Sequence, residues 1–406
     1  MIPRARANFS LRDLADAALV REGGVARHKA DFAEQLRSYL GVDDVLLTPS
    51  GRGGLYAILK GLDRPRVVIP AYTCNAVTEA ATLAGKAIDY AEVEADGFNV
   101  DPNRLAERLG PDAVFIATHQ FGIPCDIERV LRICRDRGAL VVEDAAPSLG
   151  TRVDGKLTGT FGDAAFFSFD TTKLITVPLK GGAVIARDKE TFARIRRAYA
   201  ADIEPMPAQV KARMLAMSMA LVLLQAPVRY RLFHRLQFER RGRFTAEAPL
   251  GSVTRTQWYR YDFTEWQALI AMRQLTRVEE IIARRRALYA EYEERLRGKP
   301  AFRTPPPDIR QEWAPIRFPI RVEGDKLAFY REATKRGVDF AFSFTFIEAP
   351  PEFEAAHALA RSVLDVPFYF DLTHEELDAV VETLAALDNE RRWSRSVSEP
   401  LETASV

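Results

Sequence analysis

Two short stretches of this chain combine residue types that can do chemistry. Val141-Val142-Glu143-Asp144-Ala145-Ala146 places acids at the end of a β-branched apolar run. After the next apolar run, Phe166-Phe167-Ser168-Phe169-Asp170-Thr171-Thr172-Lys173 supplies a hydroxyl and a lysine, and Gly181-Gly182 follows. A carboxylate can keep a pyridine nitrogen protonated, a hydroxyl can hold a phosphate and an amine can form a Schiff base. Together these are the parts that hold pyridoxal phosphate. Each part alone is equally at home at an ordinary strand end or surface loop. Their shared position favours the chemical reading, because the carboxyl ends of parallel strands open onto one crevice.

The elements that would position these residues are readable from periodicity. Apolar runs at Val45 to Leu47, Arg66 to Ile69, Ala113 to Ala117, Ala139 to Val142, Ala164 to Phe167 and Ala183 to Ala186 predict strands buried on both faces. Between them, Asp126 to Gly138 predicts a helix with an acid cap at its start and a glycine at its end. The alternation predicts an α/β fold with a mostly parallel sheet covered by helices. After about residue 190 the pattern changes. A long helix is expected from Thr264, with Gln267 completing a capping box, to Gly298. Ile316 to Val322 then reads as a strand, Lys326 to Lys335 as a helix ended by Gly337, and Thr373 as the cap of a final helix. The expected division is a large cofactor domain over residues 1–250, then the long helix and a small α+β domain over 251–390. A polar, disordered tail is expected over 391–406.

Ser50-Gly51-Arg52-Gly53-Gly54 follows Leu46-Leu47 and precedes a helix expected to begin near Leu55. Amides at a helix N-terminus attract anions, and glycines allow close approach, so this turn is a second phosphate contact, with Arg52 able to act as a fork. His119 ends a predicted strand and reads either as a site residue or as a hydrogen-bonded core histidine. His28, His234, His357 and His374 read as structural.

Composition sets limits. The 406 residues carry 57 basic and 56 acidic side chains, which gives no general attraction to nucleic acid. Cys74, Cys125 and Cys134 show no CxxC pair, so neither a disulfide framework nor a metal site is expected, and a reducing cytoplasm fits. Met1 to Arg6 is basic without a following apolar run, so no secretory signal is expected.

Taken in order, these residues resemble the DegT/StrS family of sugar aminotransferases, which are fold-type I pyridoxal-phosphate enzymes. The resemblance runs from Phe32-Ala33-Glu34-Gln35-Leu36 and Tyr39-Leu40-Gly41 to Val366-Pro367-Phe368-Tyr369-Phe370-Asp371-Leu372-Thr373. Its most specific part is Glu143 to Ala146, Gly159-Thr160-Phe161-Gly162-Asp163, and Ser168 to Lys173. It implies a seven-stranded, mostly parallel sheet with a smaller C-terminal domain. It also implies a homodimer with a shared active site and transfer of an amino group, by a ping-pong route, from a donor such as glutamate to a keto group on a nucleotide-linked sugar. Lys173 becomes the covalent cofactor lysine and proton carrier, Asp144 the partner of the ring nitrogen, and Ser168 a phosphate ligand. Lys180, the rival lysine, reads as a turn residue standing where the family has an acid. Because the family's sugar dehydratases replace the lysine, Lys173 argues against that branch.

Several positions depart from the pattern. Cys74 stands where an aromatic ring stacks on the cofactor, and Pro147 where a glutamine meets its phenolic oxygen. Arg260 stands at or near the asparagine that reaches the partner subunit's phosphate. Phe342-Ser343-Phe344-Thr345-Phe346 replaces a histidine-bearing loop. These departures keep open a non-catalytic or regulatory relative, or another pyridoxal-phosphate reaction on a lipid-linked or carrier-linked substrate. The segment from Pro205 to Phe244 reads as an insertion. It joins apolar Met214 to Leu224 with Arg229, Arg231, Arg235, Arg240, Arg241 and Arg243. The apolar run is shorter than the roughly 20 residues of a membrane span. A helix packed on protein is the preferred reading, with an anchor on anionic lipid as the alternative.

Overall fold

In the computed structural model, residues 1–25, 27–236, 256–299, 302–303 and 312–390 are described. The six expected runs and one further segment become strands β1 (Leu46–Thr48), β2 (Arg66–Pro70), β3 (Ala87–Ala91, the further one), β4 (Ala113–Thr118), β5 (Leu140–Asp144), β6 (Ala164–Ser168) and β7 (Gly182–Ala186). They form one seven-stranded sheet in the order β1-β7-β6-β5-β4-β2-β3. All pairs are parallel except those made by β7, which runs antiparallel to both β6 and β1. The seventh strand, β3, escapes the apolar-run criterion because it lies at the sheet edge and is only half-buried. By contrast all six residues of β4 are buried, as expected of a strand covered on both faces.

Helices α1 (Leu11–Leu19), α2 (Gly51–Gly61) and α3 (Asn75–Leu83) come from the first part of the chain. The second phosphate turn is itself helical: α2 begins at Gly51, not near Leu55, because Ser50 caps it by accepting the Gly53 amide at 3.0 Å. The insertion forms α4 (Ala208–Leu224) and α5 (Pro227–His234). Its remaining arginines, Arg240, Arg241 and Arg243, lie outside the described residues, as do the expected boundary at 250/251 and the expected tail over 391–406.

The long helix expected from Thr264 to Gly298 is two helices, α6 (Glu265–Leu275) and α7 (Val278–Leu296). Its start is as predicted, with the Gln267 side-chain oxygen accepting from the Thr264 amide at 3.1 Å and hydroxyl at 2.7 Å. The break falls where the Thr276 hydroxyl donates to the carbonyls of Met272 and Arg273, competing with the helical ladder. Beyond it, β8 (Phe318–Val322) pairs antiparallel with β9 (Val363–Val366). The strand begins later than Ile316 because the Ile316 amide bonds to Phe121 O (3.3 Å) and Arg317 lines a cavity. The predicted helices Lys326–Lys335 and His374–Glu390 follow, and the Thr373 hydroxyl accepts the Glu376 amide at 3.2 Å.

Candidate active site

The carboxyl ends of β4, β5 and β6 meet the N-terminus of α2 around a cavity of about 210 Å³. It opens into a second cavity of about 520 Å³ that shares Arg52, Cys74, Asp170, Lys180 and Arg317 with it. The chemistry-bearing residues therefore line one connected space.

Asp144 ends β5 opposite Thr118 of β4 and Phe166 of β6. Its Oδ1 accepts the Ala146 amide at 3.1 Å, and the Thr118 hydroxyl lies 3.5 Å from Oδ2. It is buried with no ion pair among the described residues, and burial raises its pKa against the nearby Lys173 charge. A buried carboxylate without a cation fits a protonated ring nitrogen in that place.

Lys173 lies on the connection between β6 and β7, and its amine has no hydrogen bond or ion pair among the described residues. Burial lowers its pKa, and the nearby Arg317 guanidinium lowers it further. Both effects favour the neutral amine that bond formation requires.

Ser168 ends β6 and faces the first turn of α2. The amides of Gly51 and Arg52 have no acceptor within their own helix. Glycine is required where this turn meets the sheet: a Cβ on Gly51 would lie 2.9 Å from Ser168 Cβ. Ser168, Gly51 and Arg52 thus form an anion cradle. Gly53 does not line it. Its amide serves the Ser50 cap, and a Cβ there would meet Trp258 O at 2.6 Å, so Gly53 is a packing position. Arg52 reaches both cavities, but its guanidinium bonds to Glu79 Oε2 at 2.6 Å instead of standing free as a fork.

Lys180 occupies a tight turn after Leu179, whose φ is +64°, as expected. Its side chain does more than turn the chain: it pairs with Asp170 and lines both cavities. Burial would raise the Asp170 carboxyl, but the Lys180 charge outweighs it and brings the pKa to about 2. Arg260 is not at the cavity of its own chain; it is 52% exposed and pairs with Glu204 at 3.0 Å. His119 is a core histidine. Its Nδ1 accepts the Cys125 amide at 3.2 Å, which leaves Nε2–H to donate to Glu143 Oε2 at 2.9 Å. Glu143 in turn accepts the amides of Gly159, Phe161 and Gly162, which orders the loop before β6. The three cysteines are unpaired, and no group of residues suited to a metal occurs among the described residues.

Gln120, Phe121, Arg317 and Arg285 carried no signal in the sequence, and Phe344 entered only as part of the loop that replaces a histidine-bearing one. Gln120 follows His119, is buried, and its Nε2 has no partner among the described residues. Phe121 and Phe344 line the cavity in the left-handed region at φ +59° and +50°, a strained conformation for aromatic residues, and stack with centroids 6.1 Å apart. Arg317 pairs with Asp365 Oδ2 at 2.5 Å. In the outer cavity Arg285 of α7 is buried, and its Nη1 donates to Ile316 O at 3.0 Å while Nε has no partner among the described residues.

The model of the DegT/DnrJ/EryC1/StrS aminotransferase family matches residues 10–251 and 252–385. The chain belongs to that family. It is accordingly a pyridoxal-phosphate-dependent aminotransferase with the fold-type I architecture. Among its relatives is a GDP-perosamine synthase from Caulobacter vibrioides, 24% identical over 386 residues that span 90% of both chains. Among solved structures it is similar to PseC of Helicobacter pylori, an aminotransferase involved in the biosynthesis of pseudoaminic acid. That pair has a TM-score of 0.73 at 16% identity and covers 96% of this chain and 99% of the other. The aminotransferase TlmJ of Streptoalloteichus hindustanus aligns with a TM-score of 0.72 at 22% identity, over 95% and 98% of the two chains. These structural likenesses concern the fold.

Proposed function

We propose that the DegT-family chain transfers an amino group from a carboxylate-bearing donor, such as glutamate, to the keto group of a nucleotide-linked sugar, with pyridoxal phosphate held at the inner cavity. The observation that carries this reading is the convergence on one cavity of Lys173 Nζ and Gln120 Nε2, which have no hydrogen-bond partner among the described residues, with the buried Asp144 carboxylate, which has no ion pair among them. When bound, the cofactor supplies an electron sink for the negative charge that develops on the substrate carbon. Asp144 holds the ring nitrogen in its charged form. Ser168 and the amides of Gly51 and Arg52 bind the phosphate. Gln120 supplies the donor to the phenolic oxygen that Pro147 lacks, and Phe344 and Phe121 supply the aromatic wall missing at Cys74. Lys173 Nζ holds the cofactor and, once free, moves the proton at the substrate carbon.

The donor's carboxylate is matched by the outer cavity. Arg317 is balanced by Asp365, whereas Arg285 has no ion-pair partner among the described residues. Burial brings the Arg285 pKa down to about 10, so it stays cationic at neutral pH. One uncompensated buried cation suits one carboxylate. The GDP-perosamine synthase among the relatives supports the nucleotide sugar as acceptor, and the family supports a ping-pong reaction in a homodimer.

The test is the visible spectrum of the loaded enzyme against a panel of amino donors, followed by keto-sugar nucleotides. A spectral shift with glutamate, reversed by one keto sugar, supports the reading. A cofactor band that no donor changes would indicate a binding relative without transfer. Borohydride reduction and peptide mapping should place the pyridoxyl group on Lys173 and not on Lys180.

A further inference from the structure

The strongly exposed large apolar side chains among the described residues are gathered in one region. Met217, Met219 and Leu223 lie on α4, and Val228, Leu232 and Leu236 lie on α5 and its last turn. The few others lie on or just after α1, which packs on α4 through Leu14, Ala17 and Met214. Val228 is 85% and Leu232 61% exposed, values that folding within the chain does not explain. On α4, residues 213, 216, 217, 220 and 223 form one exposed stripe at helical spacing, while Met214 and Ser218 face inward. The preferred expectation of a packed Met214 to Leu224 face thus holds for one side of the helix only.

Charge decides what this face fits. Residues 205–236 contain Lys211, Arg213, Arg229, Arg231 and Arg235 and no aspartate or glutamate. Arg213, Arg229, Arg231 and Arg235 make no ion pair among the described residues. A two-fold contact with a second copy would set this basic patch against the same basic patch. An anionic lipid surface matches both features, because apolar side chains enter the headgroup boundary while arginines meet phosphates. The helices meet at a bend of 114°, and among the described residues no single helix is long and apolar enough to cross a membrane.

The position of the hairpin is fixed. The Tyr230 hydroxyl donates to Asp339 Oδ2 at 2.5 Å, and His234 Nε2 lies 2.9 Å from the Tyr330 hydroxyl. Arg4 binds the same carboxylate with Nε at 2.7 Å and Nη2 at 2.8 Å, and Arg4, Ala5 and Arg6 line the outer cavity. This network ties α5 to the wall of the cavity.

We infer that α4 and α5 form a docking surface for an anionic lipid bilayer, beside the outer cavity of the active site. The experiment is flotation of the full, cofactor-loaded chain with phosphatidylcholine vesicles, with and without phosphatidylglycerol, at low and high salt. Flotation should require phosphatidylglycerol and fall as salt rises. Arg229→Gln, Arg231→Gln and Arg235→Gln together should weaken it about a hundredfold, from about fivefold per arginine, with amino transfer unchanged. Val228→Glu with Leu232→Glu should abolish flotation and leave the size measured by light scattering unchanged. Absence of flotation at low salt, or flotation indifferent to the three arginines, would overturn the inference. So would a loss of oligomer in the glutamate variant, which would show that a second copy covers this face.

Discussion

Gly182 lies so close to Gly51 that a Cβ on Gly182 would sit 2.7 Å from the Gly51 amide nitrogen. The first strand residue after the lysine loop therefore carries the phosphate turn directly on its backbone. Gly182→Ala should push that turn outward, costing about 1–3 kcal/mol of stability. Cofactor affinity should fall with it. Thermal melting with and without pyridoxal phosphate checks this, and a variant that melts and binds as the parent does would disprove the contact.

Arg317 keeps the Lys173 amine below the ordinary lysine range, in addition to burial. Capture of the cofactor by the apoprotein needs the neutral amine, so its rate should rise with pH and level off earlier than for an exposed lysine. Arg317→Gln removes a nearby positive charge, which raises the Lys173 pKa and moves that rise to higher pH. Arg317→Lys should hold it in place. Stopped-flow spectra across pH give the comparison, and coincident profiles for Arg317→Gln and the parent would remove Arg317 from this role.

Asp144→Asn keeps the shape of a buried side chain but lacks the charge that faces the ring nitrogen. It should fold and bind some cofactor, with turnover down about a hundredfold or more. Circular dichroism and single-turnover rates separate the two effects. Full turnover in the asparagine variant would exclude the assigned role.

Gln120→Leu removes the unpartnered amide proposed to meet the phenolic oxygen. The cofactor band should change its pH dependence in this variant, while a leucine of similar size keeps the wall packed. Spectral titration of the loaded variant is the measurement. An unaltered titration would return Gln120 to a structural role.

Arg260 pairs with Glu204 on the surface, where solvent screens the two charges and the pair adds little to stability. Arg260→Ala should therefore leave stability nearly unchanged. If Arg260 reaches the neighbouring subunit's phosphate, cofactor affinity falls about tenfold with the dimer intact, as equilibrium dialysis and light scattering would show. Unchanged affinity would make Arg260 a surface residue only.

Strands β4, β5 and β6, with Asp144, Ser168 and Lys173 at or after their ends, were legible because a parallel strand buried on both faces is an uninterrupted apolar run. The partial exposure of β3 hid it, and the hydroxyl of Thr276 broke a helix whose periodicity alone continues. Gln120, Phe121, Arg317 and Arg285 line the cavities through contacts between segments far apart in the chain. No local pattern marks such residues: Arg317 precedes an ordinary strand, and Arg285 is one of three consecutive arginines on an amphipathic helix. His119 could be read either way, and only its two hydrogen-bond partners assign it to the core.

The reversed direction of β7 sets how far Lys173 can travel. Its loop leaves β6 and enters β7 at the same edge of the sheet, and the two ends are stitched together by Phe169 N to Gly181 O at 2.7 Å and Val177 N to Phe169 O at 2.9 Å. A crossover helix would have hung the lysine on a long arm. Here the leash is only the four-carbon stem of the side chain. The amine can swing between neighbouring atoms by bond rotation, while its backbone amide is tied to Asp170 O at 2.9 Å.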